Sequence, residues 1–181
     1  MLEGLLSFGQ PVGGLIQIAY TVPDLDRAMA DYSRLLSAGP WFVLRDFAGI
    51  DPVYRGAPST ALCDIALGFV GHIQIELVQP QDDRPSVYKE AIERAGFGFH
   101  HFGVATGDMA AARKDHLARG YEEAFSARTP DGGSVIHFDT KGAMPGMIEL
   151  IHAGEGLNAM FGAMHEASVN WDGSDPVRSF G

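Results

Sequence analysis

After a short lead-in, apolar and polar positions follow first the pattern of a strand and then that of a helix. Residues 15–22, LIQIAYTV, are mostly apolar and β-branched, which is typical of a strand. Asp24 can cap a helix, because its side chain accepts a hydrogen bond from a free backbone N–H. Apolar residues then recur at the spacing of one helix face until Gly39 and Pro40. The pattern predicts a strand followed directly by a helix.

Similar patterns along the rest of the chain predict mainly short strands. Further strands are predicted at residues 41–47, 61–68, 69–78, 99–106, 121–128, 134–139 and 147–152. Further helices are predicted at residues 86–94 and 109–119. Residues 49–59 are predicted to form a loop, and residues 79–84 a polar linker. The 23 glycines and 10 prolines agree with many turns, and so favour strands over a helix bundle.

The unit of strand, cap and helix occurs twice. Shifting the chain by 84 residues places Gln17 on His101 and Asp24 on Asp108. Each unit is followed by three more predicted strands, so the sequence contains the order βαβββ two times. We therefore expect an α+β fold in which two modules share one core.

The repeat also sets the expected domain limits. A single domain is predicted at residues 14–153, with modules at 14–80 and 97–153. Residues 154–181 lie outside the repeat and are predicted to form a C-terminal helix and tail, with a loop at residues 169–180. This amphipathic helix can pack on its own sheet or on a partner subunit, or it can cover a pocket as a lid.

Composition and charge exclude several classes of function. With 13 basic and 23 acidic residues the net charge is −10, so a nucleic-acid partner is not expected. No apolar run reaches the length of roughly 18 residues that a membrane helix needs, and the first residues do not resemble a signal peptide. Cys63 is the one cysteine, which excludes a disulfide framework. We expect a cytoplasmic protein that acts on a small molecule.

One polar side chain interrupts each of four apolar strands. These residues are Gln17, Glu76, His101 and Glu149. Each of them faces away from its apolar neighbours, because successive side chains in a strand point to opposite faces. Buried carboxylates are costly unless they are paired or bind a metal, and these strands contain no lysine or arginine. Singly, each residue could lie on a solvated face, but the matched placement in both modules favours a divalent-metal site.

Other residues could line a pocket beside these four positions. The candidates are Trp41, Tyr54, His72, Gln74, His137 and Met147. His72 and Gln74 share a strand face with Glu76, and for them a pocket lining and a solvated rim are equally good interpretations. For Trp41 and Tyr54 the alternatives are an aromatic pocket wall and ordinary core packing.

The order and spacing of these motifs resemble the vicinal oxygen chelate superfamily, which includes glyoxalase I, methylmalonyl-CoA epimerase, extradiol dioxygenases and antibiotic resistance proteins. The likeness covers about residues 14–153 and is carried by LIQIAYTVPDLDRAMADYSRLL, IELVQP, HHFGVAT and MIELIHA. It implies paired βαβββ modules that form a cupped mixed sheet around one divalent metal. The ligand set is most similar to that of glyoxalase I, whereas the strand motifs are more similar to those of methylmalonyl-CoA epimerase.

The resemblance implies both a site and a chemistry. The metal ligands would be Gln17, Glu76, His101 and Glu149, and the ion could be Zn, Ni, Co, Mn, Mg or Fe. The reaction would be an isomerisation, an epimerisation or a lyase step by proton transfer next to a carbonyl, with Glu149 or Glu76 carrying the proton. A non-catalytic, resistance-type binding protein is the alternative, followed by a ring-cleaving dioxygenase. Family members commonly pair, so the resemblance also implies a homodimer.

Overall fold

A computed structural model describes residues 4–180. The strands are β1 (Leu15–Thr21), β2 (Trp41–Phe47), β3 (Ile50–Tyr54), β4 (Ala57–Pro58), β5 (Cys63–Val70), β6 (Ile73–Pro80), β7 (Gly98–Thr106), β8 (Glu122–Arg128), β9 (Ser134–Asp139), β10 (Met147–His152) and β11 (Val177–Ser179). The helices are α1 (Leu25–Leu36), α2 (Val87–Ala95), α3 (Met109–Ala118) and α4 (Glu155–Ser168). The predicted α+β class is confirmed.

All eleven strands belong to one mixed sheet, whose order is β11-β2-β5-β6-β1-β7-β10-β9-β8-β3-β4. Two similar halves meet at its centre, where β1 and β7 pair in antiparallel fashion. In each half the first strand lies beside the last in parallel, so β1 pairs with β6 and β7 pairs with β10. The two strands that were predicted to correspond therefore lie side by side.

The two predicted helix caps are formed as the sequence indicated. Asp24 accepts a hydrogen bond from the backbone N–H of Arg27, and Asp108 accepts one from that of Ala111. Helix α1 packs over β5 and β6, and α3 packs over β8 and β10. These helices cover one face of the sheet, because the even-numbered Ile18 and Tyr20 of β1 pack with the α1 cluster. The opposite face is left for the polar residues.

Helix α4 covers part of that opposite face. It packs against β5, where Leu157, Phe161 and Met164 join a buried cluster that includes Phe8 of the lead-in segment. The ring centroids of Phe8 and Phe161 are 5.8 Å apart. The apolar side of α4 is thus buried within its own chain. None of the described helices is long and apolar enough to cross a membrane.

Three local expectations were wrong. Residues 49–59 contain β3 and β4 rather than only a loop, because β3 pairs with β8 of the other half. The hairpin between β5 and β6 turns at Gly71 and not between residues 68 and 69, since Gly71 has φ +58°. The end of the tail forms β11, which lies parallel to β2. In the first and third cases the partner strand is distant in sequence.

Candidate metal centre

The predicted polar residues lie in two neighbouring rows that run across the strands. In the first row Gln74, Gln17, Gly103, Glu149 and His137 pair in sequence from β6 through β1, β7 and β10 to β9. Residues paired in this way have their side chains on the same face of the sheet. The row thus joins both halves of the fold on the face opposite α1 and α3.

The second row brings the remaining candidates beside the first. Glu76 and His101 both pair with Ala19, one on each side of it. The Nε2 atom of His101 lies 3.3 Å from Gln17 Oε1, 3.3 Å from Glu76 Oε2 and 3.1 Å from Glu149 Oε2. The structure therefore brings together all four residues that the sequence indicated.

Gly103 leaves the space that this cluster needs. A Cβ atom on Gly103 would lie 2.7 Å from Gln17 Oε1 and 2.8 Å from Ile151 Cδ1. Real Cβ atoms do not approach other atoms so closely, so a side chain at this position would displace the Gln17 amide. A second contact fixes that amide, because Gln17 Nε2 donates to Gln74 Oε1 at 2.8 Å and so turns Oε1 toward His101.

A bulge in β7 places two successive histidines on the same side of the strand. Ala19 pairs with His101 and Tyr20 pairs with Phe99, so His100 is an extra residue in the ladder. Bulges of this kind redirect side chains and are frequent near functional sites. As a result His100 and His101 are both fully buried and their Nδ1 atoms lie 2.7 Å apart.

The hydrogen bonds of His100 determine which nitrogen of His101 is free. His100 Nε2 lies 3.1 Å from the Val87 carbonyl, which can only accept, so the proton of the neutral His100 ring is on Nε2. The lone pair on His100 Nδ1 then accepts from Nδ1–H of His101. This arrangement directs the other nitrogen of His101, Nε2, toward the three oxygen atoms of Gln17, Glu76 and Glu149.

These oxygen atoms attract a positive charge to Nε2 of His101. Burial by itself lowers the pKa of His101, but Glu149 and then Glu76 outweigh burial and raise that pKa to about 9. Burial raises the pKa of Glu149, and His101 opposes the rise. Among residues 4–180 no lysine or arginine forms an ion pair with Glu76 or Glu149, and Glu76 Oε2 is buried without a hydrogen-bond partner.

The donor set fits a divalent metal. Three oxygen atoms and one imidazole nitrogen converge, no lysine or arginine among residues 4–180 pairs with the two carboxylates, and Gly103 keeps the space between the strands open. His100, His101 and His137 form a second close group, with nitrogens within 4.8 Å of one another. In that group the Nδ1 atoms of His100 and His101 are used in their mutual hydrogen bond. The first group is therefore the better metal site.

A mainly apolar cavity of about 210 Å³ opens beside the cluster. Gln17, Glu76, Glu149 and His137 line it on the polar side. Its remaining wall is largely aliphatic and aromatic and includes Leu44, Phe47, Leu67, Phe125, Met160, Phe161 and Phe180. Helix α4 therefore packs on its own sheet and also closes one side of the cavity, which combines two of the arrangements expected from the sequence.

Only one of the six predicted pocket residues lines this cavity directly. His137 does so, with its ring 5.5 Å from that of Phe125. Gln74 lies behind Gln17 and is fully buried, and Met147 packs under α2 beside Val87. Both are positioned next to the cluster but not exposed to the cavity.

The other three predicted pocket residues lie elsewhere. Trp41 is in the core beneath α1, where its Nε1–H donates to Ser33. The Tyr54 hydroxyl donates to Glu90 on α2 at 2.9 Å. His72 lies next to the lead-in segment, with Nδ1 2.8 Å from the Phe8 carbonyl. They do not line the cavity because β2, β3 and the β5–β6 turn direct these side chains away from it.

The sequence pattern did not reveal that Gly103, His100 and Tyr88 lie next to the candidate ligands or to each other. Gly103 and His100 follow from the strand register and the bulge, which depend on pairing between the two halves. Tyr88 of α2 lines the cavity and its ring lies 4.8 Å from that of His100. Its one sequence signal was its place in the predicted helix at residues 86–94, and a helical pattern does not reveal what the helix packs against.

Comparison with known proteins agrees with this architecture. Residues 16–138 match the family model described as the Glyoxalase/Bleomycin resistance protein/Dioxygenase superfamily. A search of curated protein sequences finds no significant match. Among solved structures, methylmalonyl-CoA epimerase from Mycobacterium tuberculosis is similar, with a TM-score of 0.59 and 21% identity over 88% of this chain and 96% of that one.

Two further structures show the same fold. A variant of Streptomyces coelicolor methylmalonyl-CoA epimerase in complex with 2-nitronate-propionyl-CoA has a TM-score of 0.59 and 18% identity, covering 80% of this chain and 96% of its own. A hypothetical protein from Bacillus halodurans has a TM-score of 0.57 and 18% identity, covering 78% and 95%. With the family match extending over more than half of the residues, the chain belongs to the glyoxalase, bleomycin resistance protein and dioxygenase superfamily.

Proposed function

We propose that this protein is a divalent-metal-dependent enzyme that transfers a proton next to a carbonyl group. The observation that carries this proposal is the convergence of Gln17, Glu76, His101 and Glu149 beside a largely apolar cavity. These four residues would hold the metal. A divalent ion at this place would supply polarisation of a carbonyl oxygen, which makes the neighbouring C–H bond more acidic.

Glu149 is the residue best placed to carry the proton. Its Oε2 atom is 3.1 Å from His101 Nε2, whereas its Oε1 atom points along the first row and is 3.7 Å from His137 Nε2. One carboxylate oxygen can therefore remain in the cluster while the other meets the substrate. Glu76, which also lines the cavity, is the second candidate.

The reaction would be an isomerisation, an epimerisation or a lyase step, since each begins by removing a proton next to a carbonyl. Several of the similar structures are methylmalonyl-CoA epimerases, and this supports the epimerase type of chemistry. It does not extend to the substrate, because the identities are 21% and 18%.

Deuterium uptake from D₂O tests the proposal. Purified protein is loaded with Zn²⁺, Co²⁺, Ni²⁺ or Mn²⁺ and incubated with 2-hydroxyacetophenone or methylmalonyl-CoA, and proton NMR measures exchange at the carbon next to the carbonyl. We expect exchange with one probe at least, and a loss of about 10² or more in Glu149→Gln. Glu155→Gln, at the exposed start of α4, is the matched control.

A protein that binds small molecules without turnover is the alternative, and the largely apolar cavity is the observation in its favour. Tight binding of a probe with no exchange under any metal would support this alternative and contradict the enzyme.

A second proposal concerns assembly, because members of this family commonly pair. We expect a homodimer, which light scattering at micromolar concentration would measure directly as mass.

A further inference from the structure

The His137 side chain lacks the partners that buried polar groups normally have. Its ring is buried at 1% exposure, lines the cavity, and has no hydrogen-bond partner within residues 4–180 for either Nδ1 or Nε2. A buried group left in this way costs about 1–3 kcal/mol, and the large majority of buried side-chain polar atoms in proteins are paired. Its partner is therefore expected among the contents of the cavity.

The His137 ring can form hydrogen bonds with a ligand in the cavity that it lines. A neutral imidazole has one N–H donor and one lone pair, so it can meet a hydroxyl or a carbonyl oxygen. Its Nε2 atom lies 3.7 Å from Glu149 Oε1, so a ligand group at His137 would be adjacent to the metal ligands.

The rest of the cavity determines the kind of molecule that suits this position. Its charged lining residues are Glu76, Glu149, Arg128 and Asp131. Arg128 is the single cation among them, and its side chain is 64% exposed and paired with Asp51. Apart from the proposed metal, a ligand with several negative charges would find no buried lysine or arginine in this lining, whereas an aromatic or aliphatic body would meet Phe47, Phe125 and Phe161.

We propose that His137 is a substrate-binding residue, which holds a hydroxyl group of an uncharged, mostly apolar carbonyl compound while the carbonyl oxygen faces the metal ligands. This inference rests on the proposed function for the metal but adds a contact that the metal does not make. It differs from chelation, in which both oxygen atoms of the ligand would bind the ion. Here one oxygen belongs to the metal cluster and its neighbour to His137.

A double-mutant cycle separates the two arrangements. Calorimetry measures the affinity of Zn²⁺-loaded wild type and His137→Phe for 2-hydroxyacetophenone and for acetophenone, which lacks the hydroxyl. We expect the wild type to prefer the hydroxylated probe by about tenfold, and His137→Phe to lose most of this preference, since one hydrogen bond is removed. If the preference persists in His137→Phe, the hydroxyl is bound by the metal and the proposal is wrong.

Two controls keep the result interpretable. His116→Phe replaces a histidine of α3 whose Nδ1 already has the Ala112 carbonyl as a partner, and it should leave both affinities unchanged. Zinc content, measured separately for each variant, shows whether the metal site is present. A protein without zinc would contradict the proposed function, whereas a zinc-loaded protein without the expected preference would contradict only the His137 contact.

A measurement on the wild type covers the case in which His137→Phe does not fold. In protein labelled with ¹⁵N-histidine, 2-hydroxyacetophenone should shift the ring nitrogens of His137 and acetophenone should not. Equal shifts with both probes, or with neither, would overturn the proposal. Tighter binding of methylmalonyl-CoA than of 2-hydroxyacetophenone would overturn the inference that the ligand is uncharged.

Discussion

Replacing His100 tests whether the orientation of the His101 proton controls the metal site. In the wild type, Nδ1–H of His101 donates to His100 Nδ1 at 2.7 Å, which leaves Nε2 free for a metal. His100→Phe removes this acceptor while keeping a ring of similar size against Tyr88. The variant ring of His101 must then either bury an unpaired N–H or move its proton to Nε2, where it blocks the metal.

The expected loss of zinc affinity in His100→Phe follows from these two alternatives for the His101 ring. His101 has no exposed surface, so an unpaired Nδ1–H costs about 1–3 kcal/mol. Each 1.4 kcal/mol corresponds to a factor of ten in affinity, so we expect zinc binding to weaken by roughly 10- to 100-fold. His100 also donates to the Val87 carbonyl, and the loss of that bond should lower the free energy of unfolding by about 1 kcal/mol with or without metal.

His100→Asn separates these effects. Its side-chain oxygen is near the position of Nδ1 and can still accept from His101, but its side chain is too short to keep the contact with the Val87 carbonyl. Both variants should therefore lose stability, whereas only His100→Phe should lose zinc affinity strongly. Competition with a chromophoric chelator measures affinity, and thermal unfolding of the metal-free forms measures stability. Wild-type zinc affinity in His100→Phe would refute the reasoning.

Three further predictions concern the same cluster. Gly103→Ala should weaken zinc binding at least tenfold while leaving the far-ultraviolet circular dichroism unchanged, because the new Cβ displaces the Gln17 amide; unchanged affinity in a zinc titration would contradict this. Elemental analysis should show that Gln17→Ala retains more metal than Glu149→Ala, since a neutral amide attracts a cation less than a carboxylate does, and equal losses would show that this ranking is wrong. Because the pKa of His101 is raised to about 9, protonated His101 stabilises the fold below about pH 6.5, and this contribution is lost as the pH rises toward 9. Burial lowers the pKa of His100 to about 3, so the fold loses stability as the pH falls below about 6.5, where the unfolded chain takes up a proton at this residue. The melting temperature of the metal-free protein should therefore be highest near pH 6.5, and a continued rise up to pH 9 would contradict the assignment.

Local patterns in the sequence were sufficient for most of the candidate centre. Alternation within a strand shows which residues share a face, and the repeat shows that Gln17 and His101 occupy matching positions. Both kinds of information are available without the tertiary structure, so the convergence of the four candidate ligands could be anticipated.

The parts that the sequence did not indicate depend on contacts between distant segments. Strand β3 forms because it pairs in antiparallel fashion with β8, which lies in the other half of the sheet. The bulge at His100 exists only with respect to β1. Strand alternation did not determine which face of the sheet Trp41 occupies. Trp41 lies under α1 because it packs there with Tyr32 and Leu77. Such long-range pairing leaves no periodic signal in the local sequence.

The pairing of β1 with β7 at the centre of the sheet has a mechanical consequence. Gln17 and Glu76 lie on one side of this seam and His101 and Glu149 on the other, so one ion would cross-link the two halves. Separating β1 from β7 would then require releasing the ion. This release adds about 2.7 kcal/mol to the free energy of separation when the free metal concentration is 100 times the dissociation constant. Amide hydrogens of β1 and β7 should exchange more slowly with metal than without it, while those at the outer edge strand β4 should be unaffected. The ion would thus serve as a clasp between two halves that are otherwise joined by backbone hydrogen bonds and the packing of side chains across the seam.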